Sequence, residues 1–98
     1  MTKLTVKNAD FEKPIMVEFE DCKGVSEKQA DFGTKCKKDI FSDFIAMGVN
    51  LLQHKTYNGI SEKYSAQIET LKNNVNASFW IEAKKESKTI QNLIKEML

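Results

Sequence analysis

Apolar residues recur at three- and four-residue steps through the middle of this chain: Phe32, Cys36, Ile40, Phe44, Met47 and Leu51. That step is the period of one buried helix face, so the stretch predicts a single long helix on which the rest of a 98-residue chain must pack. Ser26 is placed to cap its start, and Gln29, three residues on, completes a capping box by reaching back to the Ser26 N–H. Val25 and Ala30 stand at the two positions of a weak hydrophobic staple. Phe41, Ile45, Val49 and Leu52 widen the stripe. This half of the helix is therefore expected to be buried nearly all round or to face a second subunit, which makes those four the candidate self-association residues. Gly33 and Gly48 each cost about 1 kcal/mol relative to alanine in a helix interior, and Gly48 is a candidate for a kink or a close backbone approach. His54 and Lys55 suit the last turn electrostatically, and Asn58-Gly59 ends the element.

Upstream, the pattern changes to a period of two. Leu4 and Val6 alternate with Thr5 and Lys7, and Ile15, Val17 and Phe19 alternate with Met16, Glu18 and Glu20. Asn8-Ala9-Asp10, with Pro14 before the second run, connects two strands of a hairpin over residues 1–21. Its outward face carries Glu18 and Glu20, a charged edge that blocks pairing with other chains or serves as an acidic docking edge. Downstream, Ser61 opens a second helix with Tyr64, Ile68, Leu71 and Val75 on its stripe. Asn76 caps a short helix carrying Phe79, Trp80 and Ile81, and Lys84-Lys85-Glu86-Ser87 forms a turn with Ser87 as the next cap. Ile90, Leu93, Ile94 and Met97 fit a final amphipathic helix. The expected fold is α+β and mainly α: an N-terminal β-hairpin (1–21) packed on a three- to four-helix bundle (25–98), in a single domain of 1–98.

Composition narrows the function. The net charge is +1, which supplies no long-range field for nucleic acid or acidic membranes. All 15 basic residues are lysine, so the planar fork that arginine offers to guanine, phosphate or carboxylate is missing. Cys22 and Cys36 match no redox motif, and Cys36 falls on the helix stripe as a small core residue. No run approaches the roughly 20 apolar residues of a membrane span, and Met1 to Lys7 has no apolar signal region, so the chain reads as cytoplasmic. His54 lies in a polar stretch, Ser26, Ser61 and Ser87 read as caps, and neither a nucleophile elbow nor a phosphate loop occurs. The expectation is a non-enzyme with no catalytic, cofactor-binding or metal-binding residues and no cofactor. Lys35, Lys37 and Lys38, and Lys84, Lys85 and Lys88, form two lysine clusters that read first as solvated helix faces.

The only tryptophan lies in Asn76-Ala77-Ser78-Phe79-Trp80-Ile81-Glu82, where Phe79 or Trp80 is either a core clasp or a docking residue. Three consecutive helical residues cannot share a face, and the clasp is the favoured reading. Ala77 to Glu82, together with Ser26 to Lys37, resembles small uncharacterised proteins of phages and mobile elements of low-GC Gram-positive bacteria. Those carry a Gly-Ser-Glu-Lys-Gln-Ile-Ala-Trp-Ala-Glu-Lys-Ile-Arg helix start and an Ala-x-Phe-Trp-Ile-Asp segment. Here Phe32 stands for the tryptophan of the first pattern, Gly33 for alanine, Lys37 for arginine and Glu82 for aspartate. The resemblance implies a helical module with Phe32 packed against the second segment, and no reaction. The expected role is a phage or mobile-element accessory protein that binds an unidentified protein partner, with homo-oligomerisation a further expectation. Candidate interaction residues are Phe79, Trp80, Lys84, Lys85, Lys88, Glu18 and Glu20. The alternative is a nucleic-acid-binding module in which Lys84, Lys85 and Lys88 flank Phe79 or Trp80.

Overall fold

The computed structural model describes residues 1–6, 15–52 and 64–98, the side chains of 6, 15 and 47–52 excepted. The expected hairpin connection, His54, Asn58-Gly59 and the Ser61 cap lie outside the described residues, as do the side chains of Gly48's neighbours Val49 and Leu52. Strands β1 (Thr2–Val6) and β2 (Ile15–Phe19) pair antiparallel, with Leu4 opposite Val17 and Lys3 opposite Glu18. Period-two alternation then buries Leu4, Val17 and Phe19 and turns Lys3, Thr5, Met16 and Glu18 outward. Helices α1 (Glu27–Leu52), α2 (Ser65–Asn73), α3 (Ala77–Lys85) and α4 (Ile90–Met97) complete the described elements. The chain is therefore α+β and mainly helical, a hairpin with four helices, as expected.

The long helix is the scaffold, and its buried face follows the expected stripe at Cys36, Ile40, Phe41, Phe44 and Ile45, with Phe32 the exception. Gly33, Cys36, Lys37, Ile40, Phe41, Phe44 and Ile45 are buried, whereas Phe32 is 55% exposed. Gly33 is the reason. A Cβ there would lie 2.6 Å from Ala77 Cβ and 2.7 Å from Ala77 Cα, so α1 and α3 meet backbone to backbone. That approach leaves Phe32, one residue before Gly33, outside the buried face. The surroundings of Gly48 lie outside what is described. At the start of α1, Gln29 N–H donates to Ser26 Oγ at 3.1 Å, while Gln29 Oε1 accepts from the Val25 N–H, not from Ser26. Val25 is 95% exposed, so no staple with Ala30 forms.

Phe41 and Ile45 are buried in the chain's own core. They cannot present a self-association face while the chain is folded, which corrects that expectation for these two residues. The other helix ends follow polar chemistry. Asn76 caps α3 by accepting the Phe79 N–H at 3.3 Å. At the far end Ser87 is not a cap of α4 but the left-handed residue (φ 56°) that ends α3. Its N–H reaches Lys84 O, and the Lys88 N–H reaches Ala83 O, the two bonds of a Schellman turn. The α4 cap is Thr89, in a reciprocal box with Asn92.

A short parallel seam, absent from the sequence reading, ties the two halves together. The Lys23 N–H donates to Val75 O at 2.6 Å, the Ala77 N–H to Lys23 O at 3.1 Å, and the Glu20 N–H to Lys72 O at 3.2 Å. The exit of β2 therefore runs alongside the α2–α3 connection. No described helix is long and apolar enough to cross a membrane.

Candidate functional site

Beneath that seam lies the most unusual side chain of the molecule. Lys37 is 0% exposed, although lysine is almost never fully buried unless its charge is partnered. Its Nζ donates to Glu20 O at 2.8 Å, Lys72 O at 2.5 Å and Asn74 O at 2.9 Å, so all three ammonium protons are used. Two of those carbonyls belong to the C-terminal end of α2, where the helix dipole favours a cation. The rings of Phe19 and Trp80 lie 4.8 and 5.4 Å from the ammonium and add cation–π attraction. Burial pulls the Lys37 pKa down to about 8, against the opposing pull of Cys22, Glu20 and Asp21.

Trp80 is the second member of this hub. It too is 0% exposed, and its Nε1–H donates to Asn74 O at 2.9 Å, the carbonyl that also receives Lys37. Phe41 tilts against it at 5.8 Å and Phe79 meets it edge-on at 5.2 Å. Trp80 is thus the clasp and not a docking residue, which removes it from the candidate interaction set. The hub's chemistry is positional: a cation with every proton engaged offers no lone pair to a reacting group. Cys22 and Cys36 are free and buried, and burial raises both thiols above their ordinary pKa, away from the reactive thiolate.

The remaining candidates separate. Lys84 pairs with Asp39 at 3.9 Å on the α1 side of α3. Lys88 bridges Glu96 at 2.8 Å and Glu86 at 3.2 Å, and the bonds to Glu96 and Glu86 raise its pKa. Lys85 is exposed. Trp80 is sealed, and of the two paired lysines Lys88 comes toward Phe79 through Glu96, which lines the same cleft, while Lys84 is held at Asp39. On the hairpin, Glu18 pairs with Lys3 at 3.7 Å. Exposed Glu20 sends its carbonyl inward to Lys37. Asp21, next to it, is engaged by the Thr2 hydroxyl and the amino terminus, and the Thr2 bond leads in holding its carboxyl below the ordinary range.

Of the two aromatic candidates, Phe79 is the one that the fold leaves available. Half-buried, it lines a cleft of about 260 Å³ with Thr70, Leu71, Asn74, Leu93, Glu96 and Met97, between α2, α3 and α4. Met97 stays 41% exposed on its wall. The hub sets the shape of this cleft, since Asn74 is fixed through its carbonyl by Lys37 and Trp80, and Trp80 in turn supports the Phe79 ring. A polar hollow of about 200 Å³ lies on the other side of α3, among Ile40, Asp43, Lys84, Ser87, Lys88 and Thr89. Its two lysines are those already held by carboxylates. Among the described residues no group of three His, Cys, Asp or Glu side chains is placed to hold a metal ion.

Sequence reasoning missed Lys37 and the cleft. The signal for Lys37 was present: it stands four residues after Gly33, three before Ile40 and four before Phe41, inside the stripe, yet its charge assigned it to a solvated face. No family model matches the chain, and neither a curated protein nor a solved structure matches it.

Proposed function

We propose that this chain is a non-enzymatic protein-binding module that seats an apolar side chain of a partner in the α2–α3–α4 cleft. One observation carries the reading. Phe79 and Met97 present apolar surface over a floor of buried Leu71 and Leu93, in a concave site fixed from behind by the Lys37 and Trp80 hub. Small sites of this kind, apolar with a few polar groups at the edge, are where binding energy concentrates. An accessory role in a phage or mobile element rests on the resemblance of the two segments, and a cytoplasmic setting accords with two free, buried thiols. The nucleic-acid reading loses support because Trp80 is sealed and Lys84 and Lys88 are already held by carboxylates.

Placing a photo-crosslinking residue at Met97 and irradiating the source cells tests the reading. A discrete adduct with another protein, absent when the same group is placed at exposed Glu27, is the expected result. Crosslinking of equal yield at both positions would overturn it.

A further inference from the structure

The charges around the cleft define the chemistry of its occupant, and this inference rests on the cleft being the binding site. Glu96 lines the cleft, and Lys88 holds both Glu96 and Glu86, so two carboxylates share one ammonium. Glu82 stands one helical turn beyond Phe79 on the same flank of α3, exposed, with no cation in ion-pair range among the described residues. On α2 the nearest charges cancel, since Lys72 pairs with Glu69 at 3.8 Å. With exposed Lys85 three residues after Glu82 counted against it, the rim carries Glu82, Glu86 and Glu96 opposite Lys85 and Lys88, an excess of one negative charge.

We infer that the cleft receives a basic amphipathic segment of a protein partner. One apolar side chain of that segment enters between Phe79, Leu93 and Met97, and lysine or arginine residues a turn away meet Glu82 and Glu96. An acidic segment would leave its own carboxylates facing Glu82 and would compete with Glu96 for Lys88. Charge complementarity of this kind selects partners more than it raises affinity.

Two peptides of about 15 residues test this, long enough to form a helix on docking. One has leucine and lysine at helical spacing; the other keeps the leucines and replaces lysine by glutamate. Each is titrated into the isotope-labelled full chain and followed by amide and methyl resonances. The lysine peptide is expected to bind about tenfold tighter at low salt, with the largest shifts at Phe79, Leu93 and Met97, and the preference should shrink toward parity as salt rises. Glu82→Lys, which breaks no ion pair among the described residues, should reduce or reverse the preference while Trp80 emission is unchanged. If both peptides shift the cleft equally, the charge selection is wrong and the cleft remains a binding site. If the lysine peptide shifts only residues elsewhere, or neither peptide shifts the cleft, the cleft reading falls with it.

Discussion

The two flanks of α3 put polar and apolar groups to opposite uses. On the inner flank, around Trp80, three ammonium protons meet three carbonyls, the indole N–H meets one of the same carbonyls, and two rings lie against the charge. Nothing there has a capacity left over. On the outer flank, around Phe79, apolar surface meets solvent and Glu82 has no cation in ion-pair range among the described residues. Saturated groups determine a structure, whereas groups with spare capacity determine what the structure can hold. The same helix, nine residues long, separates the two.

Substitutions should sort along that divide. Trp80→Ala is expected to have the largest effect, a loss of about 3–5 kcal/mol in denaturant unfolding, because it empties a fully buried site and strips a hydrogen bond. Intact Trp80 should also show blue-shifted, quencher-resistant emission. A loss below about 1 kcal/mol would mean the hub is not what holds α3 in place.

Lys37→Ala follows, at about 2–4 kcal/mol, since it opens a void and abandons the carbonyls. Lys37→Met should cost less than half of that. Methionine fills the space, Lys72 O keeps the Glu20 N–H, and Asn74 O keeps the indole N–H. The charge has its own signature in pH. Because the folded pKa lies at about 8, below the ordinary 10.5, the unfolded chain binds more protons between those values. The wild type should therefore gain stability relative to Lys37→Met as pH rises from about 8 to 10.5, by up to about 3 kcal/mol, and lose that gain as pH falls through 8. Buried Cys22 and Cys36 act in the opposite direction, because their raised pKa values keep the folded chain protonated longer. Because Lys37 and Cys22 pull on each other, both chains are compared carrying Cys22→Ala, and the difference between the two unfolding curves then isolates the lysine. A flat difference would show that Lys37 titrates as it does in water.

Gly33→Ala should cost about 1–3 kcal/mol despite the better helix propensity of alanine, because the new methyl meets Ala77 backbone rather than a side chain that can move. The smallest effect belongs to the outer flank. Met97→Ser should change stability by less than about 1 kcal/mol, as expected for a half-open residue with little to lose on truncation. If it proves as costly as Gly33→Ala, the cleft is core and the contrast between the flanks disappears.

Much of this arrangement was legible beforehand. The 2.0 and 3.6 periods located both strands, α1, α2 and α4, the Asn76 cap located α3, and Asn76 and Ser26 announced their caps because a side-chain oxygen three residues before an N–H is a local fact. A clasp by Phe79 or Trp80 was the favoured reading, and burial assigns it to Trp80. The failures have one cause, which is that they depend on a partner distant in sequence. Phe32 is exposed and Lys37 buried because Gly33 meets Ala77; the place of Lys37 in the stripe pointed inward, but the carbonyls that let its charge be buried are distant in sequence. Ser87 and Thr89 both look like caps; the choice between them was set by where α3 stops, two carbonyls back. The cleft was invisible for a similar reason, being a space between three helices and not a property of any one.

The seam also governs how the chain can reach this state. The acceptors of Lys37 lie 17, 35 and 37 residues away along the chain, so its ammonium must leave water before local structure alone can compensate it. A partly formed chain with α1 packed and α2 still free would hold a charge short of two of its three carbonyls. Such a species is penalised, and the penalty couples hairpin, α1, α2 and α3 into one all-or-none unit, with loop closure setting its rate. Amide protons along the seam and in α3 should then exchange together, through a single global opening, instead of fraying element by element.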